Sequence, residues 1–264
     1  MRYEVLLPSD ELRNYIRCFW VLESNLPYIH HALADVCPEL VFHYGGQFDE
    51  IHDEGKTKPS FTSGVQGPCS RTRKFQIDRS FGIFGVYFYP HAIPLVFDRP
   101  ATEFTNEAID LKTLLSDYGQ ALEERILAAE TVSERVRIIS DFVTVRLTRH
   151  VHLGLPVFQA ITDIIHGKAS TRIKQLATHY YLSERQFERR FQQFAGLTPK
   201  LFCRIARFHS TLSFYRCKNI RLTDIATNCG YYDQSHFIHD FTAFSGHHPK
   251  AYFSGATEAT AWRD

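Results

Sequence analysis

The spacing of apolar residues divides the chain into a β-rich beginning and a helical remainder. From residue 1 to about residue 104, short runs of β-branched and aromatic residues are broken by Gly, Pro and Asp. This pattern predicts strands, among them Tyr15–Leu22, Leu40–Tyr44 and Ile83–Tyr89. Residues 47–60 are rich in charged side chains and predict a solvated loop.

Beyond Asn106 the apolar residues recur at helical spacing, which predicts a pair of amphipathic helices within residues 106–150. The residues that carry this spacing are Leu111, Leu114, Leu115, Tyr118, Leu122, Ile126, Val132, Val136, Ile139, Phe142, Val143 and Leu147. The pair could cover the sheet, connect it to the rest of the chain or form a dimer interface. A core-facing role is favoured because most apolar helix stripes are buried.

A domain boundary is predicted at Gly154-Leu155-Pro156, where Pro156 suits the first turn of a new helix and Gly167 its end. The chain of 264 residues is long enough for two domains. We therefore predict a first domain over residues 1–153 and a second over 154–264. In the first, residues 1–104 are β-rich and 106–150 form the helical pair.

The second domain contains an internal repeat. Six residues recur at an offset of 50: Phe187, Phe191, Phe194, Gly196, Pro199 and Lys200 return as Phe237, Phe241, Phe244, Gly246, Pro249 and Lys250. Upstream, Leu176-Ala177-Thr178 matches Ile225-Ala226-Thr227 at an offset of 49. The second copy therefore has one additional residue, which a turn can accommodate.

Each copy predicts a helix, a tight turn and a second helix that begins at Ser183 or Asp233, both good N-cap residues. This is the order of a helix-turn-helix unit. The Phe rows must be buried, so the positions between them point outward. In the first copy these are Glu184, Arg185, Gln186, Glu188, Arg189, Gln192 and Gln193, and in the second Gln234, Ser235, His236, His239, Asp240 and Thr242.

These outward positions are rich in the side chains that recognise base edges in a major groove. Any exposed helix face is polar, but two copies in register on a basic half favour DNA binding. Pro199 begins a predicted long helix to about Lys218 that joins the two units. Held on one side, the two second helices could enter successive major grooves about 34 Å apart. Arg204, Arg207, Arg216, Lys218 and Arg221 are candidates for phosphate contact.

Charge and composition agree with this assignment. Residues 1–154 contain 16 Lys+Arg against 21 Asp+Glu, whereas residues 155–264 contain 14 against 8. The basic second half suits a polyanion. The six cysteines, Cys18, Cys37, Cys69, Cys203, Cys217 and Cys229, form no C-x-x-C pair and indicate free thiols. Without a signal-peptide pattern or a long apolar stretch, we expect a cytoplasmic protein with no membrane partner.

Residues 173–252 resemble the DNA-binding domain of AraC/XylS-family transcription regulators. The resemblance rests on Leu176-Ala177, on Ser183 with Phe187, Arg189, Phe191 and Gly196-Leu197-Thr198-Pro199, and on Ile225-Ala226 through Cys229-Gly230-Tyr231 and Asp233-Gln234-Ser235-His236-Phe237 to Phe241, Gly246 and Pro249. It implies an all-α domain of seven helices with two recognition helices and a linker helix, double-stranded DNA as partner and RNA polymerase as a further one. His239 stands where a longer basic residue is common, so the second recognition helix is expected to bind more weakly.

The DNA-binding residues predicted from the outward faces, the linker helix and the resemblance are Ser183, Glu184, Arg185, Gln186, Glu188, Arg189, Gln192, Arg204, Gln234, Ser235, His236 and His239. The first half resembles, less specifically, sensor domains fused to some family members, through Tyr15–Trp20, Asp35–Phe42 and Gly85–Pro90. Such sensors are often cupin-like barrels with a helical pair. The fold class predicted for the whole chain is therefore α+β.

Three functions remain open for the first half. It could bind a small-molecule effector, serve only homodimerisation or protein contact, or be a metal-dependent enzyme fused to a DNA reader. A metal could use His30, His31, His43 and His52 with Glu39, but no ligand signature supports it and we predict neither metal nor cofactor. No catalytic motif is present, and Cys37 has no neighbouring cation in the sequence to activate it, so we predict no enzymatic activity.

Overall fold

The structure, a computed structural model, describes residues 1–52, 56–150, 156–167, 172–215, 217 and 220–255. The first part of the chain forms two antiparallel sheets, with strands β1 (Arg2–Leu6), β2 (Ile16–Ser24), β3 (Tyr28–Ala32), β4 (Glu39–Gly45), β5 (Asp49–Ile51), β6 (Thr57–Pro59), β7 (Ser63–Gln66), β8 (Arg73–Ile77), β9 (Phe81–Phe88) and β10 (Ala108–Asp110). The larger sheet has the order β1-β2-β9-β4-β7-β10 and the smaller one β3-β8-β5-β6. The prediction of a β-rich first part is confirmed.

Strand β9 is buried on both faces because each face contributes to a different hydrophobic core. Phe84, Val86 and Phe88 pack with the helices that follow. Phe81 and Ile83 pack between the two sheets. The near-continuous apolar sequence of β9 therefore reflects two covered faces and not an amphipathic strand.

The predicted loop at residues 47–60 is wrong for its described part. Strands β5 and β6 form a hairpin there. The two carboxylate oxygens of Glu50 accept hydrogen bonds from Nε and Nη2 of Arg73 on β8, each at 2.6 Å. These two strands were not predicted because they are short and their side chains are polar or partly exposed. Asp53 and Glu54 lie outside the described residues.

Four α-helices follow in the first part: α1 (Ala92–Phe97), α2 (Leu111–Leu115), α3 (Asp117–Ala128) and α4 (Val132–Leu147). The apolar faces of α3 and α4 join the core behind the large sheet, so the core-facing prediction is confirmed. Tyr118 is an exception and is half-exposed. The helix is interrupted at Ser116, whose φ is +54°, so α2 and α3 are two separate helices and the helical spacing does not continue from one into the other.

The described residues after 155 contain seven α-helices, as the resemblance implied: α5 (Pro156–Ile165), α6 (Ile173–His179), α7 (Glu184–Ala195), α8 (Pro199–Thr211), α9 (Leu222–Asn228), α10 (Gln234–Ser245) and α11 (Pro249–Phe253). Pro156 begins α5 and Gly167, at φ +66°, follows its end, as predicted. Residues 154 and 155 lie outside the described residues, so the boundary stays a prediction. Within the described ranges, no helix is both long and apolar enough to cross a membrane.

The linker helix α8 is shorter than predicted, because it ends at Thr211 and a 3₁₀ turn, Leu212–Phe214, follows. Hydroxyls near this end bond back to main-chain carbonyls three residues earlier, including Thr211 Oγ1 to Phe208 O at 2.6 Å and Ser213 Oγ to Ser210 O at 2.8 Å. Such local bonds compete with helical continuation. Arg216 and Lys218 lie outside the described residues.

Candidate nucleic-acid interface

The first helix-turn-helix unit consists of α6 and α7. Ser183 caps α7 by accepting a hydrogen bond from the Gln186 amide, and the Gln186 side chain returns the contact to complete a capping box. Gly196, at φ +78°, ends the helix. Phe187, Phe191 and Phe194 are buried. The predicted start and core face of this helix are confirmed.

The second unit, α9 and α10, repeats this construction. Asp233 caps α10 by accepting from the His236 amide, and Gly246, at φ +73°, ends the helix. Phe237 and Phe241 are fully buried. Corresponding caps and buried rows give both second helices defined N-terminal ends, which is the part of a recognition helix that reaches base edges.

The outward face of α7 presents amide, carboxylate and guanidinium groups to solvent. Its exposed members are Glu184, Arg185, Gln186, Glu188, Arg189, Gln192 and Gln193. Ser183 and Gln186 use side-chain oxygens for the capping box. Arg185, Arg189 and Gln192 are exposed and take no part in this capping box.

The outward face of α10 differs because Asp240 is buried, contrary to the sequence prediction. Its side chain is 1% exposed and accepts a hydrogen bond from Arg204 Nη2 on α8 at 2.6 Å. His236 Nε2 and His239 Nδ1 lie 3.5 and 3.6 Å from the same carboxylate. The residue was misplaced because α8 packs over this side of α10, a contact that helical spacing alone does not reveal.

Arg204 is part of this cluster and not a free surface charge. Its side chain is 34% exposed, its guanidinium lies 5.2 Å from the Phe244 ring, and the hydrogen bond to Asp240 raises the pKa of the arginine. A buried carboxylate requires such a partner. The geometry therefore gives Arg204 a structural role that competes with the predicted phosphate contact.

The resemblance is also found by comparison with known domains. Residues 176–255 match the helix-turn-helix domain family, and residues 4–110 match a domain of unknown function, DUF6597. The C-terminal part of the chain is an AraC-type helix-turn-helix domain. No curated protein matches the chain.

Solved structures with the same order of parts include ToxT from Vibrio cholerae O395 bound to (E)-4-(8-methylnaphthalen-1-yl)but-3-enoic acid. It is 11% identical with a TM-score of 0.50, over 97% of this chain and 100% of that chain. The DNA-binding domain of AdpA in complex with a target DNA is 22% identical with a TM-score of 0.36, over 41% of this chain and 96% of that chain. The ToxT similarity shows a shared fold. The family match is to a domain typical of DNA-binding transcription regulators.

The first part of the chain contacts the C-terminal ends of both recognition helices of the AraC-type domain. Thr105 Oγ1 donates to the carbonyl of Gly196 after α7 at 2.8 Å. The amide of Ala34 donates to the carbonyl of Phe244 in α10 at 3.0 Å. Ala34, with Val36 and Cys37, is also buried in the core of the AraC-type domain. This contact was not predicted from the sequence, because its residues are far apart in the chain.

The thiol of Cys37 does have a cationic neighbour, which corrects the sequence prediction. Arg17 Nη1 lies 3.3 Å from Cys37 Sγ and its guanidinium lies 5.0 Å from the Tyr87 ring. Burial nevertheless raises the pKa of the thiol to about 12, so it stays protonated near neutrality.

The histidines considered as metal ligands do not converge. His43 packs against Phe48 at a ring distance of 5.5 Å, and His31 lies 5.6 Å from the His247 ring of the AraC-type domain. In the part of the chain that the structure describes, no group of three His, Cys, Asp or Glu side chains is placed to hold a metal ion.

An open cavity of about 670 Å³ lies at one end of the large sheet, beside the first residues of β1 and β9 and the last residues of β2 and β4. At its wall, Tyr44 donates to Glu23 Oε1 at 2.5 Å and Arg2 donates to Glu23 Oε2 at 2.9 Å. The hydrogen bond from Tyr44 is the main cause of a lowered pKa at Glu23. The remaining lining is Met1, Ser24, Asn25, Gly45, Gly46, Ser80, Phe81 and Gly82.

Proposed function

We propose that the protein is a sequence-specific transcription regulator whose two recognition helices, α7 and α10, bind one DNA duplex. The observation that carries this proposal is the duplicated unit. Each copy has a capped second helix with a buried Phe row and a polar outer face. A single polar helix would be ordinary, whereas two in register within one domain are typical of a reader of two adjacent half-sites.

The two helices contribute unequally in this proposal. On α7, Arg185 and Arg189 suit guanine and Gln192 suits adenine, while Glu188 suits the amino group of cytosine. On α10, Gln234, Ser235 and His239 are the candidates, and the neighbouring carboxylate of Asp240 reduces the local positive charge. The first helix is therefore expected to supply most of the sequence preference.

The DNA-binding proposal is tested by selecting a preferred duplex with the wild-type protein from a random pool and measuring its affinity by fluorescence anisotropy. Arg189→Ala should cost about 1 to 3 kcal/mol and relax the preference at one base pair. Combined replacement of Arg185, Arg189 and Gln192 by Ala should abolish selectivity. Arg137→Ala, at an exposed arginine of α4, is the matched control. Retained selectivity in the triple variant would contradict the proposal.

We further propose that a small-molecule effector binds the first part of the chain. The cavity beside Glu23 and Tyr44 has a volume in the range of small-molecule sites and combines apolar surface with a few fixed polar groups. The ToxT structure holds a small organic acid, which accords with an effector of that size class.

The effector proposal predicts that a metabolite raises the melting temperature of the wild-type protein and changes its affinity for the selected duplex. Tyr44→Phe removes one polar group of the cavity and should reduce the shift. Tyr118→Phe, remote from the cavity, should leave it unchanged. A metabolite whose shift survives both Tyr44→Phe and Glu23→Gln binds elsewhere.

The alternative function of the first part, protein contact without a ligand, also has an observation in its favour. Tyr3 and Val5 alternate along the edge strand β1 and are half-exposed, and Leu7 just beyond it is 81% exposed. An apolar row on a sheet edge suits association with another protein or a second copy. Sedimentation of wild type and of Val5→Lys separates this alternative, because only a dimer formed through β1 would dissociate on substitution. Contact with RNA polymerase remains a proposal from the family resemblance.

A further inference from the structure

Two tyrosines in the helix-turn-helix turns are nearly fully exposed. Tyr181, between α6 and α7, is 95% exposed, and Tyr232, between α9 and α10, is 92% exposed. Neither side chain makes a hydrogen bond, ion pair or ring contact with the residues that the structure describes. They therefore contribute little to the folding of the domain.

Main-chain hydrogen bonds show how the two turns correspond. The amide of Leu182 donates to the carbonyl of Ala177 at 2.9 Å, and the amide of Tyr231 donates to Ala226 at the same distance, an offset of 49 residues. The caps Ser183 and Asp233 are offset by 50. The additional residue of the second turn is therefore Tyr232, placed directly before the cap.

The same correspondence aligns Tyr181 with Gly230. Both have left-handed backbones, with φ of +56° for Tyr181 and +72° for Gly230. Glycine adopts this conformation freely, whereas a side chain with a Cβ is strained in it. The first turn thus carries a tyrosine at a position where glycine would fold more easily, and its side chain gains no contact within the domain.

Strained residues are concentrated at functional sites, so a strained tyrosine without a contact in the domain indicates a binding role. Tyr181 lies two residues before the cap of α7 and Tyr232 lies one residue before the cap of α10. In helix-turn-helix docking the N-terminal end of the recognition helix enters the major groove, so the preceding turn lies beside the phosphates that border the groove. A tyrosine hydroxyl can donate a hydrogen bond to a phosphate oxygen.

We infer that Tyr181 and Tyr232 bind the DNA phosphodiester backbone at the edges of the two grooves that α7 and α10 enter. This inference rests on the proposed DNA-binding function and adds a pair of uncharged anchoring contacts to it. An uncharged donor displaces no condensed cation, so these contacts strengthen binding without increasing its dependence on salt. They carry no base information, so they act equally on any sequence.

The test compares Tyr181→Phe, Tyr232→Phe and the double variant on the selected duplex and on a scrambled duplex over a range of salt concentrations. Each single variant should weaken binding to both duplexes by roughly fivefold to tenfold, which is within the usual net effect of losing one hydrogen bond. The slope of log affinity against log salt should stay unchanged. Tyr118→Phe, a half-exposed tyrosine of α3, is the control.

A second arm uses Tyr181→Gly, which relieves the strain. Its melting temperature should be no lower than that of wild type while its DNA affinity falls at least as far as that of Tyr181→Phe. Unchanged affinity in the double Phe variant would overturn the inference, as would an altered preferred sequence or a marked loss of stability in Tyr181→Gly. If the wild-type protein itself shows no preference for any duplex, the proposed function fails instead, and the two failures are thus distinguishable.

Discussion

The carboxylate of Asp240 has almost no contact with water, and Arg204 is its principal partner. The imidazoles of His236 and His239 lie near the same carboxylate. A buried charge of this kind stabilises the fold only while its partner is present, since the uncompensated carboxylate would be poorly solvated. The cluster therefore joins the linker helix to the second recognition helix.

Arg204→Ala should lower the free energy of unfolding by about 1 to 3 kcal/mol. This value is below the usual range for a fully buried pair because Arg204 is partly exposed. Urea unfolding measures the change. Adding Asp240→Asn to Arg204→Ala should restore part of the loss, since the orphaned charge is then removed.

A different outcome for Arg204→Ala would assign the arginine to DNA binding. If Arg204→Ala leaves urea unfolding unchanged and lowers DNA affinity with a salt slope smaller by about one, then Arg204 acts as the phosphate contact that the sequence predicted.

At the scale of elements, both recognition helices end at a left-handed glycine, but the surroundings of these glycines differ. A Cβ on Gly196 would lie 2.9 Å from the main-chain oxygen of Ala101 in the first part of the chain. A Cβ on Gly246 would meet only the Thr72 side chain, at 3.4 Å. The end of α7 therefore packs against main chain, whereas the end of α10 packs against a side chain that can move.

Alanine substitution should reveal this difference as a graded series. Gly167→Ala, with nothing within 4 Å, should cost only the strain of its positive φ, about 1 kcal/mol. Gly246→Ala should cost slightly more. Gly196→Ala should cost a further 1 to 3 kcal/mol or so, because main chain must move. Equal urea midpoints for the three variants would show that the first part of the chain does not press on α7.

The elements that could be predicted are those encoded locally. Ser183, Asp233 and the Phe rows lie within one helix and its cap, so their spacing was enough to place α7 and α10. Burial of Asp240 depends on α8 lying over α10, which no spacing within α10 reports. The left-handed backbone of Tyr181 and its pairing with Gly230 could not be predicted, because the sequence placed the additional residue only somewhere in the turn before Asp233.

At the scale of the whole molecule, the least predictable feature is the contact between the two parts of the chain. His91, after β9, is 3% exposed and its ring stacks 4.7 Å from the Phe158 ring of α5. Its Nε2 bonds to the carbonyl of Asn14 at 2.9 Å. Burial lowers the pKa of His91 to about 4 despite this bond. The imidazole is therefore neutral in the folded protein near neutrality.

The free energy of unfolding should fall as pH decreases from about 6.5 to about 4. In this window the unfolded chain binds protons that buried His91 and His43, whose pKa values are lowered to about 4 by burial, cannot bind in the folded state. Urea unfolding across this range tests the trend. His91→Phe should reduce the slope by up to one proton, about 1.4 kcal/mol per pH unit.

Glu39 should act in the opposite direction at higher pH. Burial raises its pKa to about 8, so its contribution to stability is full below about 4.5 and is lost as pH rises to 8. Glu39→Gln should flatten the decline between about pH 6.5 and 8 and steepen the acid decline between about 6.5 and 4.5, where the two effects oppose each other. A stability profile that does not respond to either substitution would contradict the assigned burial of both groups.

The first part of the chain touches the far ends of both recognition helices, through Thr105 at Gly196 and Ala34 at Phe244. The two helices are therefore connected through the first part of the chain as well as through the linker α8. Linked binding equilibria change each other by the same factor. Any molecule that alters these two contacts and thereby changes the affinity for DNA must therefore bind the DNA-bound protein more tightly or more weakly by that factor. A DNA site that favours one arrangement of α7 and α10 would then change the affinity of the first part of the chain for that molecule by the same factor.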